Sequence, residues 1–156
     1  MQWSPKGSYG YAIDTDRGRL DLDAVHGFLR TAYWSEGVLR DVVERSIDNS
    51  LPFGLYAPGG ELAGFARMVT DFATFAWLAD VFVLEAHRGR GLGEWLVQTA
   101  VEHPELDGVR RFMLGTADAH SLYARMGFET ADVARIMERT RPASELYRVA
   151  GRQKPV

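Results

Sequence analysis

The chain has no cysteine among its 156 residues. This absence excludes a disulfide framework, a thiolate metal site and a cysteine nucleophile. The four histidines are scattered and show no metal-ligand spacing such as H-x-x-x-H; they are His26, His87, His103 and His120. The sequence therefore predicts no bound metal.

An excess of charge of one sign and long apolar runs are also lacking. Eighteen basic and 21 acidic residues leave a net charge of −3, so the chain has no overall nucleic-acid footprint. We interpret the basic residues of the stretch from about 140 to 156 as a solvated tail. No window reaches the roughly 20 apolar residues of a membrane span, and the first residues show no signal-peptide run. We expect a cytoplasmic protein without nucleic-acid or membrane partners.

What is present suits one globular domain. Apolar residues make up 46% and charged residues 25%, close to an ordinary soluble protein with a sizeable core. We find no internal repeat, low-complexity tract or linker that would divide residues 1–156. The sequence predicts a single domain.

Apolar spacing predicts the order of helices and strands. The predicted elements, in chain order, are a strand at Tyr9 to Asp14, helices at 22–32 and 38–48, strands at 53–56, 62–69 and 75–84, a helix at 92–102, a strand at 111–114, a helix at 118–126 and a last strand at 133–138. Hairpin strands come first, and a strand–loop–helix–strand crossover follows. This order predicts an α/β fold with a mixed sheet.

A glycine-rich turn joins the strand that ends at Leu84 to the helix that opens at Leu92. Its sequence, EAHRGRGLG, brings three glycines to the start of the helix. The first N–H groups of a helix have no internal partners and attract a phosphate, and glycine lets the phosphate approach the backbone. Arg88 and Arg90 add positive charge. A tight turn that binds nothing is the alternative.

Three kinds of phosphate loop compete for this turn. A Walker A loop requires Lys and Ser or Thr after its second glycine, but Glu94 follows Gly93. A Rossmann turn has G-x-G-x-x-G spacing, whereas this turn has G-x-G-x-G and lies past mid-chain. The third kind fits, because Arg88-x-x-Gly91-x-Gly93 resembles the R-x-x-G-x-G signature of GNAT superfamily N-acetyltransferases.

A second segment strengthens the resemblance. Ala119 to Phe128 is similar to the A-x-x-L-Y-x-x-x-G-F segment of the same superfamily. The likeness extends over about Tyr9 to Glu138 and is typical of small stand-alone bacterial members. Thr116 stands where many members have asparagine, and Ala79 stands where some carry a catalytic glutamate.

The resemblance implies a GNAT-like fold, with a mixed, mostly antiparallel central sheet flanked by helices, and acetyl-CoA as co-substrate. It also implies direct attack of a primary amine on the thioester, with Tyr123 as the acid for the departing thiolate. The implied coenzyme contacts are Val81, Phe82 and Val83 for the pantetheine and Arg88, Gly89, Arg90, Gly91, Leu92 and Gly93 for the pyrophosphate. Homodimers are common in the superfamily. A non-catalytic acyl-CoA-binding regulator on the same fold is the alternative function.

The catalytic base and the acceptor site are less determined. Asp80 lies in an apolar strand, where burial disfavours a charged carboxylate, so it is our candidate base. Asp71, His120 and Glu85 are weaker candidates. Tyr33 and Trp34 occupy the segment that usually recognises the acceptor in this superfamily, and aromatic rings can hold a cation. Core packing is an equal alternative for both, and the acceptor amine stays unidentified.

Overall fold

The computed structural model describes residues 2–3 and 9–152, with side chains described for residues 9–147. Strands are β1 (Gln2–Trp3), β2 (Ala12–Asp14), β3 (Leu51–Tyr56), β4 (Leu62–Thr70), β5 (Phe75–Val83) and β6 (Arg111–Met113). Helices are α1 (Leu22–Leu29), α2 (Arg40–Asp48), α3 (Leu92–Val101), α4 (His120–Ala124) and α5 (Ala143–Arg152). In the described ranges, every element predicted up to residue 126 is present, most with slightly different ends.

The strands form one sheet in chain order, from β1 to β6. Neighbours from β1 to β5 run antiparallel, and only β5 and β6 run parallel. Since α3 lies between β5 and β6 in the chain, it supplies the crossover that a parallel pair requires. The predicted single-domain α/β fold with a mixed, mostly antiparallel sheet is confirmed.

Helices cover both faces of the sheet. On one face, Leu92, Leu96 and Ala100 of α3 recur at helical spacing and pack against a cluster that includes Phe53 and Met68. On the other face, α1 and α2 cover a second cluster of buried residues, namely Val25, Leu29, Val38, Val43, Ile47, Tyr56, Leu62, Phe65 and Phe82. Strands β3 and β4 are buried on both faces for this reason.

One part of the sequence prediction fails near the end of the chain. Residues 133–138 form no strand, and Val133 and Met137 are 82% and 98% exposed. In the described part of the chain these residues have no neighbouring strand to pair with. Their alternation of apolar and polar residues is therefore not enough to form a strand. The stretch interpreted as a solvated tail includes α5, and Tyr147 packs against the α1 and α2 side of the core. Among residues 2–3 and 9–152, no helix has both the length and the apolar character of a transmembrane segment.

Candidate functional site

The site begins with a β-bulge in β5. Arg67 of β4 faces Ala79, but Phe65 faces Phe82, so two residues of β5 oppose a single residue of β4. Asp80 has a φ of 55° at this bulge, a left-handed conformation that aspartate tolerates better than most residues. Bulges bend a strand and redirect its side chains. The Asp80 carboxylate is therefore turned out of the regular pleat.

Beside the bulge, β5 and β6 part. Their parallel pairing covers only Phe75–Trp77 on β5 and Arg111–Met113 on β6. After Trp77 the backbone of β5 continues to Val83 without a pairing to β6. The gap opens into a cleft of about 820 Å³, bounded by β5, the segment after β6 and the segment between α1 and α2. Backbone groups along 79–83 are thus available to an extended ligand, the use predicted for Val81 and Val83.

The glycine-rich turn lies where β5 leads into α3. Gly89 and Gly91 have φ values of 77° and 73°, and Gly91 is the residue that precedes the first turn of α3. No side chain caps α3, so its first N–H groups are free to meet an anion. A Cβ built on Gly89 or Gly91 would meet nothing within 4 Å. The open space beside these two glycines is suited to a bound phosphate.

The two arginines of the turn donate hydrogen bonds to backbone carbonyls that precede them in the chain. Arg88 Nε donates to the Val83 carbonyl at 2.8 Å, and an Nη of Arg90 donates to the Ala86 carbonyl at 3.1 Å. Both side chains are exposed, and Arg88 also lines the cleft. The structure therefore brings Val81, Phe82, Val83 and Arg88 together along the cleft, whereas residues 89–93 lie outside its lining.

Tyr123 is placed by the end of α4. Phe128 N donates to the Tyr123 carbonyl and Gly127 N to the Ala124 carbonyl, with Gly127 at a φ of 84°. This pair of bonds is a Schellman motif, in which the residue after the glycine contacts the last turn of the helix. The Phe128 ring lies edge-on to the Tyr123 ring, with 6.0 Å between centroids. The G-F part of the sequence motif thus holds the tyrosine ring in position.

The threonine that departs from the superfamily pattern lies just before α4. Thr116 Oγ1 accepts a hydrogen bond from Ala119 N at 3.0 Å. Ala119 is the N-cap residue of α4, and no side chain caps the helix. Thr116 therefore holds the turn that leads into α4 and is not its cap.

The environment of Tyr123 favours the protonated phenol. Its side chain is half-buried and lines the cleft. Burial raises the pKa of Tyr123 above its ordinary value, and Tyr33 and Asp118 add smaller effects in the same direction. A phenol that keeps its proton at neutral pH can donate it to a departing anion.

Asp80 is held by two partners. Its Oδ1 accepts from Trp34 Nε1 at 3.1 Å, and its Oδ2 accepts from Arg67 Nε at 2.5 Å. The Arg67 and Asp80 side chains are 17% and 12% exposed. Asp80 and Tyr123 line the same cleft, as a shared catalytic role requires. Each oxygen of Asp80 is already engaged, so a proton could reach only its remaining lone pairs.

Arg67 is the residue that sequence reasoning missed. It stands in the otherwise apolar strand LAGFARMVT, where a charged group requires a partner or a ligand. That conflict between charge and setting is visible in the sequence. The sequence does not reveal that Asp80 is the partner of Arg67, because their contact depends on the bulge in β5.

Tyr33 and Trp34 are exposed side chains in the segment between α1 and α2. Tyr33 Oη accepts from Ala117 N at 3.2 Å, which joins the segment after α1 to the segment after β6. Trp34 contacts the Tyr33 and Phe28 rings and bonds to Asp80. Both predicted acceptor residues therefore line the cleft.

The weaker candidates Asp71, His120 and Glu85 lie outside the lining of the cleft. Asp71 accepts from Thr74 Oγ1 at 2.6 Å and from backbone N–H groups of the turn between β4 and β5. These bonds lower its pKa and make it a turn-stabilising residue. His87 bonds to Tyr11 Oη at 2.8 Å. His120 and Glu85 are exposed and lie outside the lining of the cleft. Within residues 9–147 no group of three His, Asp or Glu side chains could hold a metal ion.

Comparisons with known proteins agree with this geometry. A model of the acetyltransferase (GNAT) family matches residues 22–128. A presumed acetyltransferase of Gibberella zeae is 31% identical over 137 residues, which cover 74% of this chain and 76% of the relative. A crystal structure of a presumed GNAT-family acetyltransferase from Xanthomonas campestris pv. campestris is 43% identical, with a TM-score of 0.81 over 85% of this chain and 94% of that one. A Bacillus subtilis acetyltransferase in complex with CoA has the same fold, with a TM-score of 0.60 and 24% identity over 75% of each chain.

The chain belongs to the acetyltransferase (GNAT) family. The family match and the acetyltransferase relatives support N-acetyltransferase activity. The resemblance found in the two sequence motifs is thereby confirmed.

One prediction concerns the helix end that positions Tyr123. Gly127→Ala is expected to destabilise the protein by about 1–2 kcal/mol, because alanine is strained at a left-handed φ. It is also expected to slow turnover, since the bonds and ring contact around Tyr123 depend on this turn. Steady-state kinetics and thermal unfolding measure the two effects.

Gly108→Ala is the matched control, because Gly108 has a φ of 89° and open space around it, and it does not line the cleft. It is expected to cost similar stability and to leave turnover unchanged. Equal activity of the two variants would show that the turn at Gly127 does not position Tyr123.

Proposed function

We propose that this chain transfers an acetyl group from acetyl-CoA to a primary amine by direct attack in the cleft between β5 and β6. One observation carries the proposal: the unpaired backbone of β5 and the half-buried phenol of Tyr123 line one cleft, and Arg88, which also lines it, belongs to the turn that leads to the uncapped start of α3. These are the groups that a thioester, its phosphates and its leaving thiolate would require. The acetyltransferase family of the chain supports the same assignment.

In this proposal the co-substrate is held at two places. The pyrophosphate lies against Gly89, Arg90, Gly91, Leu92 and Gly93, where free N–H groups and positive charge meet it. The pantetheine follows Val81, Phe82 and Val83 as an added strand would. A backbone N–H of this strand polarises the thioester carbonyl as negative charge develops on its oxygen.

The chemical step moves one acetyl group and relocates one proton. The amine nitrogen attacks the thioester carbon, the new N–C bond forms and the C–S bond breaks. Tyr123 gives its proton to the departing thiolate, and the proton lost by the amine passes to solvent or to Asp80 and eventually restores the phenol. The balance is one amide and one free thiol for each acetyl-CoA consumed.

A non-catalytic acyl-CoA-binding regulator remains the rival function. Ala79 offers no carboxylate, which would suit a protein without turnover. The phenol of Tyr123 in the lining of the cleft supports an enzyme instead, because acetyl transfer needs a proton donor for the departing thiolate. The experiment is a thiol-release assay with acetyl-CoA and a panel of primary amines. Amine-dependent release supports the enzyme, whereas acetyl-CoA binding without release for any amine would favour the regulator.

The role of Asp80 has its own test. Asp80→Asn is expected to lower turnover and to change the acidic limb of the pH–rate curve if Asp80 accepts the proton of the amine. Acetyl-CoA affinity should barely change, because Asp80 lies in the part of the cleft that is also lined by Trp34, Arg67 and Trp77. We call this part the acceptor half. An acidic limb identical to that of the parent would exclude Asp80 as the titrating base, and its bonds to Trp34 and Arg67 would then define a positioning residue.

Three further sequence predictions stay proposals. We propose that residues 1–156 act as one acetyltransferase domain, that the protein is cytoplasmic, and that it forms a homodimer. The family match over residues 22–128 supports the first of these.

A further inference from the structure

Arg67 is a charged group with unused hydrogen-bonding capacity. Its side chain is 17% exposed, and its Nε donates to Asp80. Its two terminal nitrogens have no partner among the described residues, and the residue lines the cleft. A guanidinium offers five N–H donors, and four of them belong to these terminal nitrogens. These nitrogens are not fully buried, since the only buried side-chain polar atom without a partner among the described residues is Tyr56 Oη. Arg67 therefore presents accessible donors to an acceptor of hydrogen bonds in the cleft.

The Asp80 bond determines which edge of Arg67 is available. With Nε engaged, the guanidinium presents its two terminal nitrogens as a flat pair. This is a geometry that binds the two oxygens of one carboxylate. Lysine could not present such a pair.

The neighbouring charge is opposite and close. Asp80 binds Arg67 on one side, and its oxygens keep lone pairs for a further donor. An adjacent positive and negative side chain is complementary to a ligand that carries an ammonium beside a carboxylate.

Several other residues that line the acceptor half are apolar or aromatic, beside Ser35 and Ser46. They include Val42, Val43, Trp77 and Tyr147, together with the ring of Trp34. Val42 and Trp77 are exposed in the described structure, so a ligand body would bury apolar surface against them.

We propose that the acceptor is an α-amino acid with an apolar side chain, and that Arg67 binds its carboxylate. The inference rests on the proposed acetyl transfer and names its acceptor class. The carboxylate lies on the terminal nitrogens of Arg67, and the apolar body lies against Trp77 and Val42. The amine nitrogen attacks the thioester carbon as described above, and one amide and one thiol form.

The test compares three acceptors that share one body: L-phenylalanine, L-phenylalanine amide and 2-phenylethylamine. The amide is a weaker base and 2-phenylethylamine a stronger base than the amino acid, so a preference over both cannot come from amine basicity. We expect kcat/KM for L-phenylalanine to exceed both by about 10- to 100-fold, the range of a charge-assisted pair of hydrogen bonds. Glycine, which lacks the apolar body, should be a poorer acceptor than L-phenylalanine.

Arg67→Gln should bring the ratio of kcat/KM for L-phenylalanine over 2-phenylethylamine close to one, and Arg67→Lys should keep only part of it. Arg110→Gln is the matched control, because Arg110 is exposed and outside this cleft; it should keep the full ratio. Acetyl-CoA affinity by calorimetry should be the same in all three variants. If Arg67→Gln does not fold, the carboxylate site is still tested by the ratio of kcat/KM for L-phenylalanine over 2-phenylethylamine in the parent enzyme and in Arg67→Lys.

The outcomes separate this inference from the proposed function. Equal kcat/KM for the three acceptors, or a ratio unchanged in the Arg67 variants, overturns the carboxylate site while acetyl transfer stands. Equal kcat/KM for glycine and L-phenylalanine overturns the apolar part of the acceptor. Absence of thiol release with every amine overturns both proposals together.

Discussion

Tyr123→Phe is expected to bind acetyl-CoA normally and to turn over more slowly, by about tenfold up to the 10²–10⁴ of acid catalysis. The substitution removes only the phenolic proton. The ring and its edge contact with Phe128 are kept, so stability should fall little. Steady-state kinetics and calorimetry with the same preparation measure both effects.

Leaving-group dependence identifies the origin of this loss. A coenzyme analogue with a more acidic thiol needs less protonation as it departs, so it should restore part of the rate of Tyr123→Phe when chemistry limits turnover. Because burial raises the pKa of Tyr123, loss of its proton should not lower the parent rate below about pH 10. If Tyr123→Phe has the same rate and the same leaving-group dependence as the parent enzyme, Tyr123 is a packing residue and not the acid.

Gly91→Val is expected to weaken acetyl-CoA binding at least about tenfold, because its side chain would occupy the space of the phosphate beside α3. The left-handed φ of 73° adds a stability cost of about 1–2 kcal/mol or more. Isothermal calorimetry on the folded variant gives the affinity, and thermal unfolding gives the cost.

Gly108→Val separates the two effects. Gly108 shares the left-handed φ and the open surroundings of Gly91 but precedes β6, away from the glycine-rich turn. Both variants should lose similar stability, and only Gly91→Val should lose affinity. Unchanged acetyl-CoA affinity in a folded Gly91→Val protein would remove this turn from the binding site.

The parts of the site that sequence could predict are local in the chain. The turn from Arg88 to Gly93 and the segment from Ala119 to Phe128 each form their geometry from neighbouring residues, as the left-handed glycines and the helix-end bonds show. Such features depend on turn and cap chemistry, which short motifs specify. Tyr123 was accessible to prediction for this reason.

The acceptor half depends on contacts that no short motif specifies. Trp34 and Asp80 are 46 residues apart in the chain, and the bond of Arg67 to Asp80 requires the bulge and the left-handed φ of Asp80. A one-residue change in register would turn Asp80 to the other face. The sequence analysis singled out Asp80 in its apolar strand but missed Arg67, and it did not predict that the two side chains meet.

The end of the chain shows a different limit. Residues 133–138 have strand-like alternation, yet a strand forms only where a neighbour completes its hydrogen bonds. Conversely, charge dominated the interpretation of the last stretch, although Ala143, Leu146 and Tyr147 recur at helical spacing. That periodicity was a usable signal for α5.

The most direct measurement follows the acetyl group itself. Acetyl-CoA labelled in its acetyl group is mixed with the protein and an active amine acceptor, and mass spectrometry then examines the acceptor, the protein and free acetate. Direct attack in the cleft predicts that the label appears as an amide on the acceptor nitrogen, in an amount equal to the thiol released, and never on the protein. Label on a protein side chain, label released only as acetate, or no thiol release with any amine would contradict the account.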